Sequence, residues 1–209
     1  MTEPTIARRR TALGWWIFSR GNRPFDVDSA WNTLLAGMDV AALSAISQFM
    51  NVAGGVLVSS VIVPIAGVVI LLILRRPWSA GYFLLSIALA ALAVQVLKQV
   101  FGRARPEEIL VVSDYGSFPS GHAANAAVLA AVLVVLLPRV WTVVLGTAWV
   151  VVMAFSRTYL HAHWLSDTVG GALVGVGVAL VCAALMQPVL AREQTRAGTG
   201  LRPADARRG

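Results

Sequence analysis

The chain has 209 residues, of which 57% are hydrophobic and only 13% charged, with a mean hydropathy of +0.73. A soluble domain carries about a quarter of its residues charged, so this composition excludes an ordinary soluble protein and indicates a single membrane domain. The net charge is +7, but the arginines gather at the termini and at the ends of apolar runs, which excludes a nucleic-acid partner and favours contact with anionic lipid heads. The one cysteine, Cys182, allows no disulfide within the chain.

The N-terminal part is the hardest to assign. Residues 1–30 are polar and basic, apart from a short apolar patch around Trp15 and Trp16 that predicts an interfacial anchor. This patch lacks a small-residue cleavage site, which argues against a signal peptide. Residues 31–54 are moderately apolar but contain Asp39, and a carboxylate at the bilayer centre costs about 2.5–3.5 kcal/mol. The stretch is predicted to be an interfacial helix or, alternatively, an extra span.

Five largely uncharged apolar runs follow. They predict an all-α polytopic transmembrane bundle, with five clear spans and a possible sixth near the N-terminus. The runs cover residues 56–74, 79–97, 123–137, 140–155 and 168–186. Gly171, Gly175 and Gly177 in the last run predict close contact between helices. The helix bundle of residues 56–187 is followed by a basic tail, 188–209, that is predicted to be disordered.

The positions of the arginines predict the orientation of the bundle. Arg75, Arg76, Arg139 and the C-terminal tail share one side, which the positive-inside rule assigns to the cytoplasm. The polar loops 99–120 and 156–166 then lie together on the extracytoplasmic side of a bacterial plasma membrane. Polar groups that are far apart in the sequence are therefore expected to converge at one membrane face.

One helix start on this face is a candidate anion site. Ser120 is predicted to cap the third span, and Gly121 lets an oxyanion approach the free N–H groups of the first turn. Simple helix capping is the alternative reading of these two residues. Three cations stand near span ends on the same face: Lys98, Arg105 and Arg157. Because the positive-inside rule predicts few cations there, they favour binding of a tetrahedral phosphate over membrane anchoring.

The three histidines of the chain all lie close to this face. His163 and Asp167 are four residues apart on one helix face, so the carboxylate is expected to orient the ring and leave its other nitrogen as a nucleophile. His122 is placed to act as the general acid for the leaving oxygen. His161 could pair with His163 on a metal, but no carboxylate or cysteine cluster joins them. No metal is therefore predicted, and His161 is interpreted as a loop residue near the site.

Three segments match, in order and spacing, the signature of the type 2 phosphatidic acid phosphatase (PAP2) family, which the chain therefore resembles. The family also includes glucose-6-phosphatase and the vanadium haloperoxidases. The segments are Lys98-x6-Arg105-Pro106, Pro119-Ser-Gly-His122 and Ser156-Arg157-x5-His163-x3-Asp167. The resemblance implies that His163 forms a phosphohistidine oriented by Asp167 and that His122 protonates the leaving group. It also implies that no metal or other cofactor is needed and that the phosphoryl oxygens are held by Lys98, Arg105, Ser120, Gly121 and Arg157.

The resemblance implies an integral membrane phosphatase that acts on a lipid phosphomonoester or diphosphate. Candidate substrates are phosphatidic acid, phosphatidylglycerol phosphate and undecaprenyl diphosphate, which would reach the site sideways between helices. The choice of lipid and the oligomeric state stay open. Two alternatives are a non-catalytic transporter or structural membrane protein with the same fold, and a vanadate-dependent peroxidase. The complete set of predicted catalytic residues argues against the first, and the uncharged spans argue against the second.

Overall fold

The computed structural model describes residues 21–199, with side chains through residue 195. This range contains helices and irregular segments but no β-strand, which confirms the predicted all-α class. A seven-residue π-helix, Val56–Ile62, runs directly into the third α-helix. The α-helices of the described range are α1 Asp26–Ala36, α2 Ala41–Ala53, α3 Val63–Ile73, α4 Pro77–Phe101, α5 Gly121–Leu136, α6 Val140–Tyr159 and α7 Leu165–Thr199. The anchor predicted around Trp15 and Trp16 lies outside the described residues.

All five predicted apolar runs are helical. Four stretches of the described range are long and apolar enough to cross a bilayer, namely Val56–Ile73, Pro77–Phe101, Val140–Tyr159 and Leu165–Thr195. The remaining run, residues 123–137, forms α5, which is equally apolar but has only 16 residues, or about 24 Å of helix. This helix is the centre of the bundle, since it packs against α4, α6 and α7 and buries a face that is mostly alanine. The chain is thus a membrane protein, and the exact number of spans stays a prediction.

Residues 31–54 do not form one helix. The chain turns between α1 and α2, and Asp39 lies exposed in that turn rather than inside a helix. The Tyr159 hydroxyl of α6 holds the turn by accepting the Val40 N–H at 3.3 Å. With 11 and 13 residues, α1 and α2 both fall short of the ~20 residues that a span needs. The stretch therefore contains two short helices instead of the single helix predicted, and its assignment as an interfacial segment or an extra span stays a prediction.

Two glycines set the distance between α5 and α7. A Cβ atom added at Gly171 would collide with the carbonyl oxygen of Ser120, and one at Gly175 would collide with that of Ala124. These contacts bring the N-terminal turns of the two helices together, as the glycine spacing predicted. Gly177 has open space around it and takes no part in the contact, so its predicted role is wrong.

The last helix is longer than predicted. It continues through Pro188 to Thr199, whereas the sequence indicated a disordered tail from residue 188. The physical reason is Glu193, which is buried and accepts hydrogen bonds from the N–H groups of Trp78 at 2.8 Å and Ser79 at 3.0 Å. Its carboxylate therefore caps the start of α4, where amides lack helical partners and the helix dipole favours negative charge. Arg76 lies 3.8 Å from the same carboxylate.

Candidate active site

The predicted site residues come together at one end of the bundle. Lys98 lies in the last turn of α4 and Arg157 in the last turn of α6. Ser120 caps the start of α5, and Asp167 lies in the first turn of α7. The Ser120 N–H donates to the backbone carbonyl of Asp167 at 2.9 Å, which ties the two helix starts together. Polar groups up to 69 positions apart in the sequence, from Lys98 to Asp167, thus share one end of the fold.

His163 lies in the connection between α6 and α7 and is 3% exposed. Its Nδ1 atom is 2.7 Å from the carbonyl oxygen of Ser117. Because a carbonyl only accepts hydrogen bonds, Nδ1 carries the proton, and Nε2 keeps its lone pair. Nε2 lies 3.2 Å from Nη1 of Arg105, so the nitrogen predicted to be the nucleophile faces the cations. Burial, followed by the charges of Arg105 and Arg157, lowers the pKa of His163 to about 4 despite the raising effect of Asp167.

Asp167 is fully buried but does not hold His163 by a hydrogen bond. Its Oδ2 atom is 3.7 Å from Nδ1 of the ring, which is too far for a hydrogen bond. Oδ2 instead accepts a hydrogen bond from the backbone N–H of Trp164 at 2.9 Å, and Oδ1 accepts one from Nη1 of Arg103. The orienting hydrogen bond predicted for Asp167 is therefore made by the Ser117 carbonyl. Asp167 places a negative charge next to the ring.

A buried ion-pair network lies behind Asp167, and the sequence analysis did not assign it a function. The Arg103 guanidinium is fully buried and donates both to Asp167 and to Asp28 of α1, the latter at 2.8 Å. Asp28 also accepts the N–H and hydroxyl of Ser166 at 2.8 and 2.7 Å. The only local indication of this network in the sequence was a second arginine, Arg103, two residues before Arg105. Its partner Asp28 is 75 residues away, so no nearby pattern pointed to the pair.

Lys98 and Arg105 share one carboxylate, which the sequence analysis also missed. Nζ of Lys98 lies 2.7 and 2.8 Å from the two oxygens of Asp114, and Nη2 of Arg105 lies 2.8 Å from Oδ1. The Asp114 side chain is 56% exposed, whereas the Lys98 side chain is 3% exposed. Burial raises the pKa of Asp114, but the hydrogen bond and charge of Lys98 and the charge of Arg105 bring it below its usual value. Burial lowers the pKa of Arg105.

Arg157 is a buried cation without a carboxylate partner in the described part of the chain. It is 2% exposed, its Nη1 donates to the side-chain oxygen of Asn51, and its Nε has no hydrogen-bond partner within residues 21–195. Its backbone carbonyl accepts the N–H groups of Ala162 and His163, which holds it next to the predicted nucleophile.

His122 lies under the end of α2. Its Nε2 atom is 3.3 Å from the backbone carbonyl of Asn51. A Cβ atom added at Gly54 would collide with the His122 ring, so the chain after α2 can pack here only because that residue is glycine. Asn51 therefore contacts both His122 and Arg157 and forms one wall of the site. The sequence indicated only a turn at residues 51–55.

His161 belongs to a separate contact. Its Nδ1 atom lies 2.7 Å from the side-chain oxygen of Asn32 in α1, and the amide of Asn32 donates to Glu108 at 3.1 Å. This contact links α1 to the loop that contains Glu108 and to the loop that contains His161. His161 is therefore a loop residue beside the site rather than a member of the cation group. The side chains described in the structure contain no group of three or more possible metal ligands.

A cavity of about 150 Å³ opens from the cation group into the bundle. Lys98, Asp114, Gly121 and His122 line its polar end. Its other walls come from the π-helix, from α4 and from α5. The residues of these walls include Gly54, Val56, Ser59, Ser60, Ile87, Ala90, Ala91, Val94, Gln95, Ala124 and Asn125. The arrangement can hold an anionic group at its rim and an apolar chain below it.

Known lipid phosphatases share sequence with this chain. It is 28% identical over 120 residues to "Lipid A 1-phosphatase" of Rhizobium johnstonii, covering 51% of this chain and 47% of that protein. It is 33% identical over 112 residues to "Phosphatidylglycerophosphatase B" of Bacillus subtilis, covering 49% and 55%. "Undecaprenyl-diphosphatase" of Sulfolobus acidocaldarius is 32% identical over 115 residues, covering 51% and 55%. The chain spans about half the length of the curated relatives it matches.

Two solved structures have a similar fold. The transmembrane PAP2-type phosphatidylglycerolphosphate phosphatase of Bacillus subtilis has a TM-score of 0.69 and 25% identity, over 85% of this chain and 92% of that one. The LpxE protein of Aquifex aeolicus has a TM-score of 0.67 and 22% identity, over 77% and 96%. Residues 79–190, more than half of the chain and including all the predicted site residues, match the PAP2 superfamily. The chain therefore belongs to the PAP2 superfamily.

Proposed function

We propose that this protein is an integral membrane lipid phosphatase that hydrolyses a lipid phosphomonoester or diphosphate. The observation that carries the proposal is the charge of the cation group. Of the three cations, Lys98 and Arg105 contact a single carboxylate, that of Asp114, and Arg157 is buried with no carboxylate partner among the described residues. An uncompensated buried cation is costly, so such a group is stabilised when an anion binds. The relatives described above are phosphatases of lipids, which supports a lipid phosphate as that anion.

The phosphate is held by the cations and the start of α5. Three positive charges exceed the single charge of Asp114 by two, which equals the charge of a phosphomonoester dianion. The guanidinium groups of Arg105 and Arg157 bind phosphoryl oxygens in pairs. The Ser120 hydroxyl and the Gly121 N–H add donors at the positive end of the helix dipole. Asp114 is half exposed and moves aside as the phosphate takes over its contacts with Lys98 and Arg105.

The reaction proceeds in two displacements. Nε2 of His163 attacks phosphorus, the bond between phosphorus and the lipid oxygen breaks, and His122 gives its proton to that oxygen. Phosphorylation makes the His163 ring cationic, and the Asp167 carboxylate 3.7 Å from Nδ1 stabilises that charge. His122 then takes a proton from water, which attacks phosphorus, releases phosphate and restores His163. No metal is required, because the cations and the helix start neutralise the phosphoryl oxygens.

We infer that the site faces the extracytoplasmic side of the plasma membrane. Arg75 and Arg76 precede α4, Arg139 precedes α6, and Glu193 caps α4 at that same end. The site lies at the opposite end of these helices, at Lys98 and Arg157. The positive-inside rule favours the arginine-rich end for the cytoplasm. A lipid of the outer leaflet then presents its phosphate at the level of the cations.

The experiment measures phosphate released by the detergent-solubilised full chain. The panel contains phosphatidic acid, phosphatidylglycerol phosphate and undecaprenyl diphosphate. We expect the wild-type protein to release phosphate from at least one of them, and His163→Ala to lose nearly all of that activity while it still inserts into the membrane. His161→Ala is the matched control, because it changes a histidine of the same loop that lies outside the cation group. Near wild-type turnover by His163→Ala, or no release by the wild type, would refute the proposal.

A further inference from the structure

Two primary amides line the cavity directly below the cation group. Gln95 lies on α4, three residues before Lys98, and Asn125 lies on α5, three residues after His122. Residues three apart on a helix occupy neighbouring positions on one face. Both amides therefore lie one helical turn deeper in the bundle than the groups that would hold and cleave the phosphate. Ser59 and Ser60 of the π-helix are the other uncharged polar side chains in the lining of this cavity.

Neither amide has a hydrogen-bond partner among the described side chains and backbone groups. Among residues 21–195, no hydrogen bond joins the side chain of Gln95 or of Asn125 to another residue. Gln95 is exposed toward the cavity although it belongs to a helix long and apolar enough to span the bilayer. An amide left without hydrogen bonds in an apolar medium costs several kcal/mol, and polar side chains inside spanning helices usually mark a pathway or binding site. The two amides are thus available to a ligand that fills the cavity.

The chemistry of this level favours a neutral ligand group. Below Lys98, Asp114 and His122 the cavity lining contains no charged side chain. A polyprenyl diphosphate would place its second, lipid-linked phosphate at this depth, where the lining offers only neutral amide and hydroxyl groups. The ester oxygens of a glycerolipid are neutral acceptors at the corresponding distance from a terminal phosphate. Ile87, Ala90, Ala91 and Val94 continue the wall toward the middle of the bundle, and an acyl chain fits against such a surface.

We propose that Gln95 and Asn125 form a subsite that donates hydrogen bonds to the acyl ester oxygens of a glycerolipid phosphomonoester. The subsite makes this lipid class the preferred substrate over polyprenyl diphosphates. From Lys98 to Ile87 the wall of α4 covers 11 residues, or about 16 Å, which is room for the beginning of one acyl chain. This inference rests on the proposed phosphatase function and specifies its substrate.

The test compares dioctanoyl phosphatidic acid with its dialkyl ether analogue, which lacks the ester carbonyls, and with farnesyl diphosphate. We expect the wild-type protein to hydrolyse the ester with a kcat/KM roughly tenfold or more above that of the other two, as expected for losing one or two hydrogen bonds. In the double variant Gln95→Leu/Asn125→Leu, kcat/KM for the ester should fall by a similar factor, to the level of the ether. Activity on the ether should stay within about twofold.

Gln99→Leu is the matched control, because it makes the same change on the same helix at an exposed position that does not line the cavity. It should leave the ratio of ester to ether hydrolysis unchanged. Equal wild-type rates on ester and ether, a faster rate on farnesyl diphosphate, or an equal loss on all substrates in the double variant would overturn the subsite. Absence of phosphate release from every substrate by the wild type would instead refute the phosphatase function itself.

Discussion

Two groups of charged residues lie at the same end of the bundle, and they differ in the number of carboxylates that neutralise their cations. In the first, Arg103 is fully buried between Asp28 and Asp167. In the second, Lys98 and Arg105 share Asp114, whose side chain is 56% exposed. The first group has two carboxylates for one cation, and the second has one carboxylate for two cations.

The difference separates an arginine that stabilises the fold from one that we propose binds the ligand. Arg103 and Arg105 are two residues apart in one loop and carry the same functional group. Arg103 is fully buried, so neither water nor a ligand can replace its carboxylate partners. It therefore joins α1 to α7 and holds Asp167 in place. Arg105 contacts a partner that can leave, and it also touches Nε2 of His163. Burial and charge balance, rather than residue type, therefore assign the two roles.

The largest expected effect is the loss of the buried network. Arg103→Leu leaves Asp28 and Asp167 buried without their cation, and removing one partner of a buried ion pair costs about 3–5 kcal/mol. We expect the Tm of the detergent-solubilised protein to fall by on the order of 10 °C, measured by thermal unfolding. Arg139→Leu is the control, because Arg139 is exposed at the other end of the bundle. An unchanged Tm for Arg103→Leu would contradict the assignment of Arg103 to the fold.

Arg105 should show the opposite pattern. Arg105→Lys keeps the charge but loses the two-pronged contact with phosphoryl oxygens. Removing one donor that stabilises a transition state lowers turnover by about 10²–10³-fold, so we expect kcat/KM for the lipid phosphate to fall by about a hundredfold. The Tm should change less than in Arg103→Leu. Activity close to that of the wild type would remove Arg105 from the phosphate site and with it the contrast between the two groups.

Asp114 should compete with the ligand. Asp114→Asn removes the carboxylate from Lys98 and Arg105 while keeping its size. We therefore expect inorganic phosphate to inhibit the variant with a Ki roughly fivefold to tenfold lower, as for the loss of one competing charged hydrogen bond. Glu107→Gln serves as the control, since Glu107 is an exposed acid of the same loop. A Ki that is unchanged or higher would show that Asp114 supports phosphate binding instead of competing with it.

The smallest expected effect concerns pH. His163 must be neutral to attack, and burial lowers its pKa to about 4. A proton binds the ring only below that pH, so His163 stays mostly neutral at pH 5.5, where an ordinary histidine with a pKa of about 6.5 is roughly 90% protonated. We expect kcat/KM, corrected for the ionisation of the substrate, to hold down to about pH 5. A loss of activity centred between pH 6 and 7 would contradict the buried, neutral state of His163.

The amino-acid sequence by itself determined the class of the fold and which of its polar residues would meet at one end of the bundle. Hydropathy is a local property, so the five apolar runs predicted five helices. Their alternating direction was enough to predict that Lys98, His122 and Arg157 would share one end. The spacing of the three motifs was likewise sufficient to indicate the family that the comparison later established.

Only the tertiary structure decided which groups contact these residues. Asp28 reaches Arg103 across 75 positions and Asn51 reaches Arg157 across 106, and no local pattern encodes pairs so far apart. Nδ1 of His163 donates its hydrogen bond to a backbone carbonyl, that of Ser117. Every residue type has such a carbonyl, so the amino acid at position 117 gave no indication of this contact. The polar tail was predicted to be disordered from composition alone, yet its first part is helical through Thr199, where one carboxylate, Glu193, finds free amides on another helix. Packing and charge compensation depend on which surfaces meet, and the folded chain alone defines those surfaces.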